Sequence, residues 1–273
     1  MAARLSRSAG IRAPDARGAT LGGRDMRKYV GWIAVGLVLV SVGVYGYLAS
    51  PWQSARSSKA SDTLYDSSFF EALSSGSASS AAQILPEVVR LIAPKSAVDL
   101  GSGIGEWLGE LRKLGVTDVL GVDGDWVNPT ALKIPTDQFR PFDLRNKFAM
   151  DRAFDLAISV ETAEHLPPER GEGFVADLVA LAPVVLFSAA IPGQGGTGHI
   201  NEQWQDYWAR LFAKHDYVAL DFLRLKFWND SRIEWWYRQN IILYVRRDRV
   251  EADPKLRFLA SLQPPDVIRF RRN

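Results

Sequence analysis

The stretch "VDLGSGIGEW", Val98–Trp107, decides the fold. "SAVDL" reads as a buried strand and "GEWLGELRKLG" as a helix, so Gly101, Gly103 and Gly105 occupy a strand-to-helix turn. Backbone N–H groups at such a turn, with a helix N-terminus behind them, favour a polar or anionic ligand pressed against bare backbone. A dinucleotide fingerprint, G-x-G-x-x-G/A, wants a small residue at position 106. Glu106 stands there instead, and a carboxylate at the mouth of the loop would repel a pyrophosphate. Asp99, two residues before the first glycine, suits a cationic ammonium, so the charges point to a ligand that carries an amino acid and no phosphate.

Outward from this turn, strand and helix signals alternate. "DVLGVD", "FRPFD", "FDLAISV" and "PVVLFSAA" read as strands and "GFVADLVALA" as a helix. Strands apolar on both faces argue a mostly parallel sheet sandwiched by helices, a Rossmann-like α/β fold. Before the turn, "YDSSFFEAL" and "SASSAAQILPEVVRLIA" read as two helical pieces, similar to a lid. After it, "NEQWQDYWARLFAKHDY" is expected as a helix, and "VALDFLRL" and "NIILYVRR" as two strands of a closing hairpin. The domain boundaries expected are 64–250, with a tail over 251–273.

The pattern Asp99-x-Gly101-x-Gly103-x-Gly105 resembles motif I of class I S-adenosylmethionine-dependent methyltransferases, and further stations follow in order. "VLGVDGD" ends a strand at Asp123, where the resemblance implies a carboxylate on the ribose hydroxyls. "FRPFDL" puts Asp143 beside the adenine amine and Leu144 against the ring. "FDLAISVETAEHLP" matches the fourth strand and its loop, where Glu161 is placed near the cofactor's amino group. Ser102 and Gly124, beside the first two stations, complete the implied cofactor-binding set. The likeness covers roughly residues 64–247 and implies seven strands, a methyl-transfer activity and S-adenosyl-L-methionine as cofactor.

Glu161, Glu164 and His165 fall just past the fourth strand, at the edge where open parallel sheets bind ligands. On a helical turn they share a face. Two carboxylates and an imidazole suit a hard divalent cation such as Mg2+ with open positions. The E-x-x-E-H order is similar to that of metal-dependent O-methyltransferases of ubiquinone biosynthesis and of small-RNA 2′-hydroxyls, which implies a metal that holds the substrate hydroxyls. "IPGQGGTGHINEQW" offers His199 as a fourth ligand on a glycine-rich loop built to move. In the alternative reading Glu164 and His165 cap the next helix, and His165 or His199 serves as general base. Trp204, Trp208, Trp228, Trp235 and Trp236 with Tyr207 and Tyr237 either line an acceptor pocket or pack the core.

The chain of 273 residues has no cysteine, which excludes disulfides, thiolate nucleophiles and cysteine-bound zinc. Residues 1–28 hold seven Lys/Arg against Asp15 and Asp25, +5 within a chain of +2, so the remainder is net −3. A mildly acidic domain is a poor match for a phosphate backbone, which argues against nucleic acid as a partner. From Tyr29 to Ala49 no side chain is charged. The nineteen residues "VGWIAVGLVLVSVGVYGYL" (Val30–Leu48) span about 28 Å as a helix, close to the hydrocarbon thickness of a bilayer. A transmembrane helix over 29–49 is expected, after a basic disordered N-terminus (1–28) and before a Ser-rich linker (50–63). A cleaved signal peptide fits less well, because Tyr47 and Leu48 put bulky residues where cleavage wants small ones. Met26 offers a second start that keeps the same anchor. The excess of Lys/Arg before the span points the domain outward, whereas a cofactor made in the cytoplasm points it inward; the second argument weighs more.

The reading is therefore a membrane-anchored methyltransferase acting on a small-molecule or glycan hydroxyl. A nicotinamide-dependent oxidoreductase and a non-catalytic anchored module are the alternatives.

Overall fold

The computed structural model describes residues 67–263 and Arg269. The expected basic N-terminus, membrane span and linker all lie outside the described residues. Among those described, no helix is long and apolar enough to cross a membrane.

A long helix, α1 (Ser67–Ile92), leads into β1 (Ser96–Leu100), α2 (Glu106–Lys113), β2 (Asp118–Asp123), β3 (Phe139–Pro141) and β4 (Leu156–Val160). Then come α3 (Gly171–Leu181), β5 (Val184–Ser188), α4 (Gln205–Ala213), β6 (Tyr217–Leu220), α5 (Phe222–Phe227), α6 (Trp235–Asn240), β7 (Ile242–Arg246), α7 (Arg247–Ala252) and α8 (Pro254–Ser261). The seven strands form one sheet in the order β3-β2-β1-β4-β5-β7-β6. β1 to β5 pair in parallel, and β7 runs antiparallel to both β5 and β6. This is the mixed, Rossmann-like sheet that the alternating signals imply. Chain order reverses between β1 and β4, and at such a switch point the carboxyl ends of the strands leave a crevice.

Successive side chains along each strand point to opposite faces, and both faces are covered. Ala97, Val119 and Ile158 join Ile84, Leu85, Leu108 and Leu111 of α1 and α2 on one face. Val98, Val122 and Ala157 join Phe174, Leu178, Trp208 and Phe212 of α3 and α4 on the other. Every residue of β4 and β5 is buried.

Three expected elements differ in extent. The two leading pieces are one helix, which runs through Gly76 and holds Pro86 in its interior; Ala81, Ile84, Leu85 and Val88 give it one unbroken buried stripe. The helix expected from Asn201 begins only at Gln205. Before it, the N–H groups of Ile200 and Asn201 donate to the Glu164 carbonyl and that of Gln203 to the Ala190 carbonyl. Those bonds are lost to the first helical turn. "VALDFLRL" divides into strand and helix after Leu220, since Leu223 and Phe227 bury at a spacing of four and Asp221 pairs with the buried Arg224 at a spacing of three. The segment expected as a tail contributes Leu256 of α8 to the core.

Candidate active site

β1 delivers the chain into the Gly101–Gly105 turn with all three glycines at positive φ, at 91°, 53° and 86°. At Gly101 a Cβ would stand 2.2 Å from Thr162 Oγ1, so the loop after β4 packs directly on bare backbone. At Gly103 a Cβ would meet nothing within 4 Å, because that position faces the open cleft. Asp99 is buried beneath the turn, and its Oδ1 has no hydrogen-bond partner among the described residues. Burial first, and the charge of Asp123 second, push its carboxyl well above the usual range. Ser102 is buried within the turn and its hydroxyl donates to the Gly103 carbonyl (3.3 Å).

Asp123, the last residue of β2, accepts 2.7 Å bonds from the Gly103 and Gly124 N–H groups. Burial raises its pKa, and these two donors oppose the rise. Its two donors line two different cavities, Gly124 one and Gly103 the other. One, of about 320 Å³, is lined by Gly124, Trp126, Pro141, Phe142, Asp143 and Arg145. The Trp126 ring lies so close over Gly124 that a Cβ there would be 2.1 Å from it. Asp143 sits on this wall but is held by the Arg145 guanidinium (2.8 Å), which lowers its pKa. Leu144 is not on the wall; it is buried in the core beside Phe148 and Phe174.

The second cavity, of about 430 Å³, runs from Gly101 and Gly103 past Glu161 to Glu164, His165 and His199, with Trp107, Trp235, Trp236 and Tyr237 on its sides. Glu161 follows β4 with φ at 50°, a conformation that costs a non-glycine residue on the order of 1–3 kcal/mol and gathers at functional sites. Glu164 and His165 lie on a single 3₁₀ turn, Ala163–His165. Glu164 is buried, and neither carboxylate oxygen makes a hydrogen bond of good geometry among the described residues; its own N–H, that of Ala190 and the Glu161 carboxyl are the polar groups nearest to it. Burial, then the charge of Glu161, push its pKa well up.

One ligand atom each from Glu164, His165 and His199 lie within 4.8 Å of one another. The rings of His165 and His199 meet edge to face at 4.9 Å. His165 Nδ1 approaches the Gly198 carbonyl (3.3 Å) and His199 Nδ1 the Glu202 carboxylate (3.2 Å), leaving Nε2 of both rings for a further partner. Burial and the neighbouring His199 lower the His165 pKa. The donor set therefore fits a divalent cation. Glu161 stands beside this cluster and is itself engaged by Gln194 and Asn240.

A family model described as "Methyltransferase domain" matches residues 77–240, more than half of the chain. The chain belongs to this methyltransferase family. No curated protein matches it. Among solved structures, the methyltransferase domain of bacterial CtHen1 is 16% identical with a TM-score of 0.46, covering 62% of this chain and 97% of that one. Magnesium protoporphyrin IX methyltransferase from Synechocystis PCC 6803, solved with bound SAM, is 17% identical with a TM-score of 0.44, covering 60% and 79%.

In this methyltransferase the structure brings together Asp99, Gly101, Ser102, Gly103, Gly105, Asp123 and Gly124 around one turn, and Glu161, Glu164, His165 and His199 around one end of the cleft. Of the seven aromatic candidates, Trp235, Trp236 and Tyr237 line the cleft, whereas Trp208 is core. Sequence reading missed Ser77, whose hydroxyl pairs with that of Tyr237 across the cleft (2.8 Å), and it missed Thr162, Gln194, Glu202, Gln239 and Asn240. The signal for Glu202 was its place three residues after His199. The amides carried none, since an isolated Gln or Asn has no pattern that separates a site from a surface.

Proposed function

We propose that this methyltransferase uses S-adenosyl-L-methionine to methylate a hydroxyl of a small molecule or glycan, with a divalent cation such as Mg2+ held by Glu164, His165 and His199 beside Glu161. The observation that carries the reading is Glu164: a buried carboxylate with both oxygens unpartnered among the described residues, close to two imidazoles, in the cleft that opens at the glycine turn. Such a charge is tolerated when a cation completes it.

S-adenosylmethionine, when bound, supplies an electrophilic methyl group, and the cation, when bound, supplies a Lewis acid beside the acceptor hydroxyl. The unpartnered Oδ1 of Asp99 and the open face of Gly103 fit an amino-acid moiety with its ammonium. Asp123, bonded to one lining residue of each cavity, is the acceptor for the ribose hydroxyls. The cavity at Trp126, Phe142 and Asp143 then takes the adenine. His165 gives its Nε2 to the cation when one is bound; without the cation the same nitrogen, kept neutral near pH 7 by burial, offers itself to the acceptor's proton. Trp235 and Trp236 exclude water from that end. Aligning acceptor, methyl and sulfur supplies much of the rate. Residues 29–49 anchor the enzyme to the bilayer, with the domain facing the cytoplasm where the cofactor is made.

Calorimetric titration of the full-length protein with S-adenosylhomocysteine, with and without magnesium, tests the reading. Micromolar binding is expected, and no binding would sink it. A Glu164→Ala variant whose response to magnesium matches the parent's would dispose of the cation site and leave His165 acting alone.

A further inference from the structure

The loop between β5 and α4, rich in glycine, carries His199 into the site. Gly193, Gly195, Gly196 and Gly198 all have positive φ, and Gly196 is required where it stands, since a Cβ there would lie 2.3 Å from the His199 ring. Opposite this loop is the end of α6, whose Gln239 and Asn240 are buried. The Gln239 carbonyl is held by Gln205 Nε2 (3.2 Å) and by Arg224 Nη1 (3.3 Å), and Arg224 is itself buried against Asp221. The end of α6 is thus a rigid support.

Gln194 joins loop to support. Its Nε2 donates to Glu161 Oε2 (2.9 Å). Its Oε1 accepts from Asn240 Nδ2 (2.9 Å) and Gln239 Nε2 (3.1 Å). Asn240 Nδ2 also reaches Glu161 Oε1 (3.2 Å), so both Glu161 oxygens are held by side-chain amides. An amide can grip a carboxylate without neutralising it, whereas a lysine or arginine at the same place would compete with any cationic ligand of Glu161. On the far side of the loop Glu202 accepts from the Gly193 and Gly195 N–H groups and approaches His199.

We infer that Gln194, clasped by Gln239 and Asn240, is a positioning residue that latches the glycine loop onto the cleft and thereby sets Glu161 and His199 together. This deepens the proposed function and rests on it only for the ligand-binding arm of the test. Hydrogen exchange of backbone amides 193–199 in the full-length protein tests the latch without any ligand. In Gln194→Ala exchange is expected to quicken about tenfold, while β4 and β5 stay unchanged, as suits the loss of one or two hydrogen bonds. Gln194→Glu, equal in length but with an acceptor facing Glu161, is expected to do the same.

For S-adenosylhomocysteine binding by calorimetry, Gln194→Ala and Asn240→Ala are each expected to weaken affinity about five- to tenfold, and the double variant no more than the weaker single, because both remove one clasp. Loop exchange within twofold of the parent in both Gln194 variants, or losses that simply add in the double variant, would overturn the latch. A parent protein that binds no S-adenosylhomocysteine would overturn the proposed cofactor instead, and the exchange result would still decide the latch.

Discussion

Glu164 shows how far a single residue can be set against folding for the sake of a site. Its pKa is raised by burial and by Glu161, so ionisation opposes the folded state. The sign follows: Glu164 favours folding below its unfolded pKa, and that contribution is lost as pH rises toward the folded value. In metal-free buffer Glu164→Gln should therefore be more stable than the parent at pH 8, by about 1–3 kcal/mol, and the gain should shrink as pH falls toward 5. Urea denaturation across that range checks it; a gain independent of pH, or a loss, would refute the account. Asp99 and Glu164 could both be marked from the sequence, as acids beside strand ends. That each has an unpartnered buried oxygen could not, because burial is a property of packing.

At the scale of elements, the glycine turn separates fold from function. Gly101→Ala introduces a methyl group 2.2 Å from Thr162 on a backbone with φ of 91°, and is expected to cost about 2–4 kcal/mol in thermal or urea unfolding. Gly103→Ala meets no atom within 4 Å; it should cost only about 1–2 kcal/mol for its left-handed φ. Its methyl group nevertheless projects into the cleft, so affinity for S-adenosylhomocysteine should fall more than tenfold in a variant that still folds. Equal stability losses in the two variants would contradict the placement of Thr162. β1, α2, β2, β4 and β5 were legible because their apolar runs are bounded by turns. The start of α4 and the helix after β6 were not, because a carbonyl of the β4 loop captures two backbone N–H groups and a buried ion pair selects helix over strand.

For the whole molecule, the uncharged stretch 29–49 and the basic residues before it predict an integral membrane protein. The full chain should stay in the membrane pellet after an alkaline carbonate wash, and deletion of residues 29–49 should release it. A phosphatase reporter active only outside the cytoplasm, fused after Asn273, is expected to be silent. A strong signal would place the domain on the other face, as the local charge bias suggests.

The sequence by itself determined the alternation of strands and helices from β1 to β5, the turn at Gly101–Gly105 and the acidic stations at Asp99 and Asp123, because apolar periodicity, glycine and short-range spacing act locally. Tertiary structure alone decided that Asn240 would meet Glu161 and that Trp235 would face His165's cleft while Trp208 entered the core. It also decided that Leu144 would pack inward. Those contacts join residues far apart in the chain, and which of them forms depends on how the helices settle on the sheet. That outcome belongs to the summed packing of both faces, and no short segment encodes it.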